Sequence, residues 1–316
     1  MRGLVRTVLG DVDPASLGSL DYHEHLFHAS PLLPGEDLVD EEASTAECLS
    51  FLASGFGGLI DATPLGLGRR PEALGRIAAR TGATIVASTG RHRDAHYADG
   101  VYDDLDLEAL FLRELTDGIA ASDSQPEGAR AVAPDGALMR AGQVKVGIDY
   151  WRISPAERRA ITAAGAAHRA TGAPVMVHTE RASAVFELLD ELAKEGVAAS
   201  RVAIAHADRN PDPGLHAEIA ATGAYLGYDG AARLRDWPES VLLDCLEKVV
   251  SAGHGDRVLI GGDVARASSW SALGGLPGLA YLGRRYVPRV RDVIGSVATN
   301  RLLVTNPARY LTWSTA

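Results

Sequence analysis

Two cysteines in 316 residues, Cys48 and Cys245, are too few for a disulfide framework, and both fall in stretches that read as helix. Such usage fits a reducing compartment and points to the cytoplasm. The chain also lacks any run of about 18 apolar residues, and Met1 to Gly10 holds no hydrophobic stretch long enough for a secretion signal, so no membrane entry is expected. Basic excess is missing too. The 31 Lys and Arg stand against 41 Asp and Glu, a formal net charge of -10, which repels nucleic acid and anionic membranes and leaves a small molecule as the expected partner. No Gly-x-Gly-x-x-Gly follows the first strand-like run and no Gly-x-x-x-x-Gly-Lys-Ser/Thr loop occurs, which removes the usual nucleotide-binding signatures.

What is present is alternation. Short β-branched runs lie near 20–25, 58–63, 84–89, 143–149, 174–179, 202–207, 224–229 and 258–263, most of them separated by helix-like segments. Ser154-Pro155-Ala156-Glu157 is a helix start: a capping serine, a proline at the first helical position and a glutamate three residues after the serine, with the helix ending near Gly172. Further helices are expected from Asp40 or Ser44 to Ser54, and over Leu105 to Ile119, Arg181 to Glu195 and Pro238 to Ser251. Strand-helix repetition implies a parallel sheet covered by helices, and eight units favour a closed (β/α)8 or TIM barrel of the α/β class over an open sheet. The irregular stretch 91–142, including Ser122 to Gly128, reads as a surface excursion within one domain spanning 1–316.

The C-terminal ends of these strands carry the chemistry. His23 and His25 end the first strand two residues apart, hence on one face. Alone, a His-x-His is more often a pair of polar residues at a strand end than a site. The pattern recurs, however: His178 ends the fifth strand, His206 the sixth and Asp263 the eighth, and in a barrel all these ends meet on one face. Lys145 sits in the fourth strand among apolar neighbours, where a charged amine is costly. An ion pair or a snorkelling side chain would relieve it. So would a depressed pKa, since a neutral amine can take up carbon dioxide and the resulting carbamate can bridge two metal ions.

The set His23-x-His25, Lys145, His178, His206 and Asp263 resembles the phosphotriesterase-related branch of the amidohydrolase superfamily, from about Val5 to Leu311. Thr89-Gly90, Asp208-Arg209-Asn210-Pro211 and Thr305-Asn306-Pro307-Ala308-Arg309 carry the likeness further. The resemblance implies a two-metal hydrolase, with His23, His25 and Asp263 on one divalent ion, His178 and His206 on the other, and carbamylated Lys145 and a hydroxide between them. Zinc is the expected ion, and manganese or cobalt suit the same nitrogen and oxygen donors. Asp263 is then the catalytic residue, placed to take the proton and return it to the leaving group. Relatives of this kind also imply a homodimer.

Substrate choice rests on the loops. In the family's organophosphate-hydrolysing members an aspartate and a histidine extend the proton path. Arg209 and Gly230 stand at the matching positions, which counts against phosphotriesters. Asp208-Arg209-Asn210, Tyr228-Asp229-Gly230-Ala231-Ala232-Arg233 and Asp263-Val264-Ala265-Arg266 instead resemble the members that open sugar lactones, some phosphorylated. Arg209, Arg233 and Arg266 could recognise an anionic or polyhydroxylated substrate, or Arg209 and Arg233 could simply pair with Asp208 and Asp229 at the rim. In related lactonases a tyrosine stands near the metals: Tyr97 is the expected match, with Tyr228 its competitor. His92 and His96 read as contacts or as solvated surface, Trp151 as a pocket wall or as packing, and Gly274 to Gly278 as a loop over the site. Organophosphate and amide hydrolysis are the alternatives within the family, and a barrel that only binds its ligand is the alternative outside catalysis.

Overall fold

The computed structural model describes residues 3–233 and 236–313. A short antiparallel hairpin, β1 (Val5–Thr7) and β2 (Gly10–Val12), precedes eight parallel strands. These are β3 (Leu20–Glu24), β4 (Gly58–Asp61), β5 (Thr84–Arg91), β6 (Gln143–Gly147), β7 (Val175–His178), β8 (Val202–Ala205), β9 (Tyr225–Tyr228) and β10 (Val258–Ile260). Each pairs with its successor in sequence order, and the Asp263 backbone N–H donates to the His23 carbonyl at 2.8 Å, bringing the end of β10 back to β3. The result is the (β/α)8 barrel that the spacing implied. The hairpin, which the sequence pattern did not reveal, closes the end remote from the strand C-termini: Val5 packs with Leu17, Tyr310 and Leu311 against the barrel interior.

Side-chain parity divides the core into two layers. Tyr22, Ile60, Val86, Met176, Tyr225 and Leu259 fill the barrel, while alternate residues such as Leu59, Ile85, Val144 and Leu226 meet the surrounding helices. Closure has a particular requirement at β10. A side chain at Gly262 would overlap the buried Glu24 carboxyl, and one at Gly261 would begin 2.8 Å from Asp21 Oδ1, so glycines here let the chain after the last strand lie against the first without displacing those carboxyls.

Nine α-helices follow: α1 (Glu41–Leu52), α2 (Pro71–Thr81), α3 (Leu107–Thr116), α4 (Pro155–Thr171), α5 (Val185–Lys194), α6 (Pro213–Ala221), α7 (Glu239–Val249), α8 (Val287–Asn300) and α9 (Asn306–Leu311) among the described residues. Asp40, not Ser44, caps α1, its carboxylate accepting from the Glu42 and Ala43 N–H groups. The Ser154 capping box opens α4, and Gly172, at φ 74°, ends it in the left-handed conformation that glycine adopts without penalty. Helix α5 begins after Arg181 because Arg181, Ala182 and Ala184 are all left-handed. The excursion between β5 and β6 is tied down by Arg69, whose guanidinium bridges the Glu114 carboxylate (2.8 and 3.1 Å) and Asp123 (2.8 Å). No helix among the described residues is long and apolar enough to cross a membrane.

Candidate metal centre

All six predicted ligands meet at the C-terminal mouth of the barrel, and all are buried. His206 and Asp263 hold left-handed backbone angles (φ 66° and 48°), uncommon for residues with a Cβ and sustained here by the surrounding packing. In β3 the pairing register shifts between Asp21 and Glu24. With strict alternation lost, consecutive residues Tyr22 and His23 both reach Asp229.

The hydrogen bonds fix which ring nitrogens carry protons. His23 Nδ1 (3.0 Å) and His206 Nδ1 (2.7 Å) both donate to the Asp229 carboxylate, which leaves each Nε2 as a lone pair. His178 Nε2 donates to Glu180 at 2.9 Å, so its Nδ1 is a lone pair. The Thr63 hydroxyl gives its proton to the Phe27 carbonyl (2.8 Å) and therefore accepts from His25 Nδ1 (2.7 Å), which turns the His25 Nε2 lone pair inward. His178 Nδ1 and His206 Nε2 thus face each other at 2.8 Å, and His25 Nε2 faces Asp263 Oδ1 at 3.3 Å, acceptor against acceptor. A proton would relieve this only on an imidazolium, which burial opposes: His25 is driven down to about 4, His178 to about 3, and His206 well below the usual imidazole range. Converging lone pairs with no hydrogen between them are a donor set for cations.

Among the described residues two buried groupings have the proximity of a metal site, His23-His25-Asp263 and His23-His206-Asp229. The second is an orienting triad, because Asp229 already takes the Nδ1 protons of both rings together with the Tyr22 hydroxyl. The His23 hydrogen bond and the nearby Arg209 hold Asp229 ionised against the burial that opposes it. Lys145 Nζ lies 3.3 Å from His23 Nε2 and 3.1 Å from Met176 Sδ, with no carboxylate in ion-pair reach among the described residues. Burial pulls its amine down to about 8. The ion pair that would have given Lys145 a purely structural role is absent.

Asp263 receives Arg209 Nη2 at 2.9 Å and also Arg233 Nη2, which in addition donates to the Asp263 carbonyl at 3.0 Å. Burial favours the neutral acid, yet the Arg233 guanidinium beside it keeps the carboxylate ionised. The expected rim pairs with Asp208 and Asp229 do not form, since those aspartates turn inward: Asp208 accepts from the Asp229 and Gly230 N–H groups (3.3 and 2.8 Å). A Cβ at Gly230 would lie 2.9 Å from Asp208 Oδ2, so a side chain at this position would have to displace the Asp208 carboxylate.

The site opens into a cavity of about 350 Å³ whose wall includes Arg93, Arg209, Arg233 and Arg266. Neither predicted tyrosine belongs to that wall. Tyr228 is a correction: odd residues of β9 point into the barrel, so Tyr228 faces outward, hydrogen-bonded to His216 Nδ1 at 2.6 Å beside Cys245. Tyr97 lies beneath the loop instead, its hydroxyl donating to the Leu65 carbonyl and accepting from the His92 N–H, each at 2.8 Å. His92 and His96 do line the cavity, and Trp151, 65% exposed, does not. Gly274 to Gly278 packs on the Ser268–Ser271 segment rather than over the cavity. A larger cleft of about 570 Å³ beside Asp94 and Ser154 contains none of the six ligand candidates.

Clustered imidazole lone pairs and a carboxylate at this end of a TIM barrel are the makings of a metal-dependent hydrolase. The chain belongs to the phosphotriesterase family, whose sequence model matches residues 3–311, and that family is built on a binuclear metal centre. It is 28% identical over 326 residues to the phospho-furanose lactonase of Mycoplasmopsis agalactiae, covering 97% of this chain and 91% of that protein. It is also 28% identical over 359 residues to the N-acetyltaurine hydrolase of Danio rerio, covering 99% of each. The crystal structure of a lactonase from Listeria monocytogenes superposes with a TM-score of 0.86 at 28% identity, covering 99% of this chain and 100% of that one.

Proposed function

We propose that this protein opens a sugar-derived lactone, with an anionic substituent such as a phosphate held by the arginines of the cavity. The observation that carries this reading is charge at the mouth. Although the chain bears a net charge of -10, the cavity wall sets four guanidiniums, those of Arg93, Arg209, Arg233 and Arg266, against two carboxylates, Glu180 and Asp263. Arg93 is engaged by Asp149 and Glu180, and Arg209 and Arg233 by Asp263. Arg266 has no carboxylate within ion-pair distance among the described residues, so it is the cation available to a ligand.

Two divalent ions, zinc in the first instance, held by His23, His25 and Asp263 and by His178 and His206, would polarise the lactone carbonyl and supply a water deprotonated near neutral pH. Lys145, whose amine burial pulls down to about 8, would as the neutral amine take up carbon dioxide, and the carbamate would add oxygen donors for the ions. Asp263, kept ionised, accepts the proton of the attacking water and delivers it to the ring oxygen as the ester bond breaks. Arg209 and Arg233 hold the Asp263 carboxylate in place from the rim. The N-acetyltaurine hydrolase among the relatives favours a second reading, hydrolysis of an N-acyl amide whose sulfonate would meet the same arginines.

The test is a panel of five- and six-membered sugar lactones with and without a phosphate, run beside N-acetyltaurine and an activated phosphotriester. The phosphorylated lactone should give the highest kcat/KM. A wide preference for the triester or the amide would replace the proposal.

A further inference from the structure

Seven histidines line the cavity, and six of them hold a hydrogen bond that sets the ring: His23, His25, His92, His96, His178 and His206. His28 is the exception. Among the described residues neither of its ring nitrogens has a partner, and Nδ1 is enclosed with none, in a residue only 4% exposed. The main chain, not the ring, fixes its position: His28 N–H donates to the Leu38 carbonyl at 3.1 Å and the Leu38 N–H returns to the His28 carbonyl at 2.7 Å. The ring lies 5.1 Å, centroid to centroid, from that of His25, at the edge of the metal centre.

A buried polar ring without a partner is costly, and native proteins retain few of them. A leucine or phenylalanine would fill the same wall without that cost. An imidazole that no carboxylate hydrogen-bonds offers one N–H to donate and one lone pair to accept, which is the complement of an alcohol rather than of an anion. The cavity is correspondingly divided. The loops after β8, β9 and β10 bring Arg209, Arg233 and Arg266, whereas the loops after β3 and β5 bring His28, the pair His92 and His96, and Arg93, whose guanidinium is taken up by Asp149 and Glu180; Ser30 Oγ and His96 Nδ1, 2.8 Å apart, join these two loops.

We infer that His28 is a specificity residue whose ring hydrogen-bonds a hydroxyl of the substrate, so that the enzyme selects a polyhydroxylated ring over a plain one. This rests on the lactonase reading above, and its test is built to fail separately from it. Equilibrium binding would be measured by calorimetry for two probes, a five-carbon polyhydroxy acid and the straight-chain acid that keeps only the hydroxyl released by ring opening. The proteins are the wild type, His28→Leu and His28→Asn. Loss of one neutral hydrogen bond should weaken the polyhydroxy acid about five- to tenfold more than the plain acid in His28→Leu, and His28→Asn should recover part of that difference.

Equal weakening of both probes, or of neither, would overturn the assignment, because a merely structural ring would not discriminate between them. His28→Asn guards against a leucine variant that disturbs the loop: no recovery with an undisturbed melting curve also counts against the proposal. Turnover of the lactone panel by the wild type is read independently. A protein that opens no lactone but shows the binding contrast would retain the His28 assignment and lose the lactonase reading, and the converse result would do the reverse.

Discussion

Replacing Asp229 by asparagine tests the orientation of the metal centre without touching a ligand. The Asp229 carboxylate accepts from His23 Nδ1, His206 Nδ1 and the Tyr22 hydroxyl, and in doing so points the Nε2 lone pairs of two rings into the cavity. An asparagine offers one oxygen and one NH2, so it can satisfy one side and must present N–H to N–H on the other. The ring on that side either rotates or shifts its proton to Nε2, and in both cases its lone pair no longer faces the cation. Outer partners of metal-binding histidines are worth about 10- to 100-fold in metal affinity. Because His23 and His206 serve different ions in the proposed centre, at least one of the two should be held that much more weakly. The assay is chelator competition on the zinc-loaded protein, followed by elemental analysis, with turnover restored by excess zinc. Metal-free Asp229→Asn should also be less stable to urea by about 1–3 kcal/mol for each donor left unsatisfied. Retention of both ions at the wild-type chelator concentration would show that Asp229 does not set the tautomers.

Lys145→Met should stabilise the metal-free protein by about 3 kcal/mol at pH 7, since the folded state holds the amine near 8 against 10.5 when unfolded. The sign follows from burial: the unfolded chain binds the extra proton between these values, so metal-free wild type should gain stability as pH rises from 8 to 10.5 and the variant should not, as read by urea titration. The same substitution should abolish a carbamate signal in ¹³C NMR with labelled bicarbonate, a signal that in the wild type strengthens as pH rises through 8. Arg266→Ala should lower kcat/KM for a phosphorylated lactone about tenfold more than for its unphosphorylated partner, a contrast steady-state kinetics would expose. Gly262→Ala should cost about 3 kcal/mol of stability by forcing β10 away from Glu24, measurable by chemical denaturation.

The barrel and its six ligand candidates were legible because strand ends are marked in sequence by a polar residue after an apolar run, as in Val175-Met176-Val177-His178. What sequence concealed is pairing through space. Asp229 also follows an apolar strand, directly after the end of β9, yet it read only as a rim partner for Arg233. Parity within β9 could have corrected this: an inward Asp229 puts Tyr228 outside and removes it from the substrate list. Glu180 and Thr63 carry no periodic signal, since each becomes meaningful only once His178 and His25 lie within 3 Å of it. His28 stands in a loop three residues beyond the His-x-His, and only a cavity and an unmet nitrogen single it out. The hairpin at Val5 to Val12 escaped because its strands are three residues each, below the length at which alternation can be read.

The central claim is that the converging lone pairs hold two ions. Elemental analysis of protein purified without chelator, titrated with zinc and dialysed, tests it most directly alongside lactone hydrolysis on the same samples. The account predicts two ions per chain, with turnover rising in step with occupancy. Fewer than about one ion per chain, or lactone turnover unaffected by its removal, would contradict it.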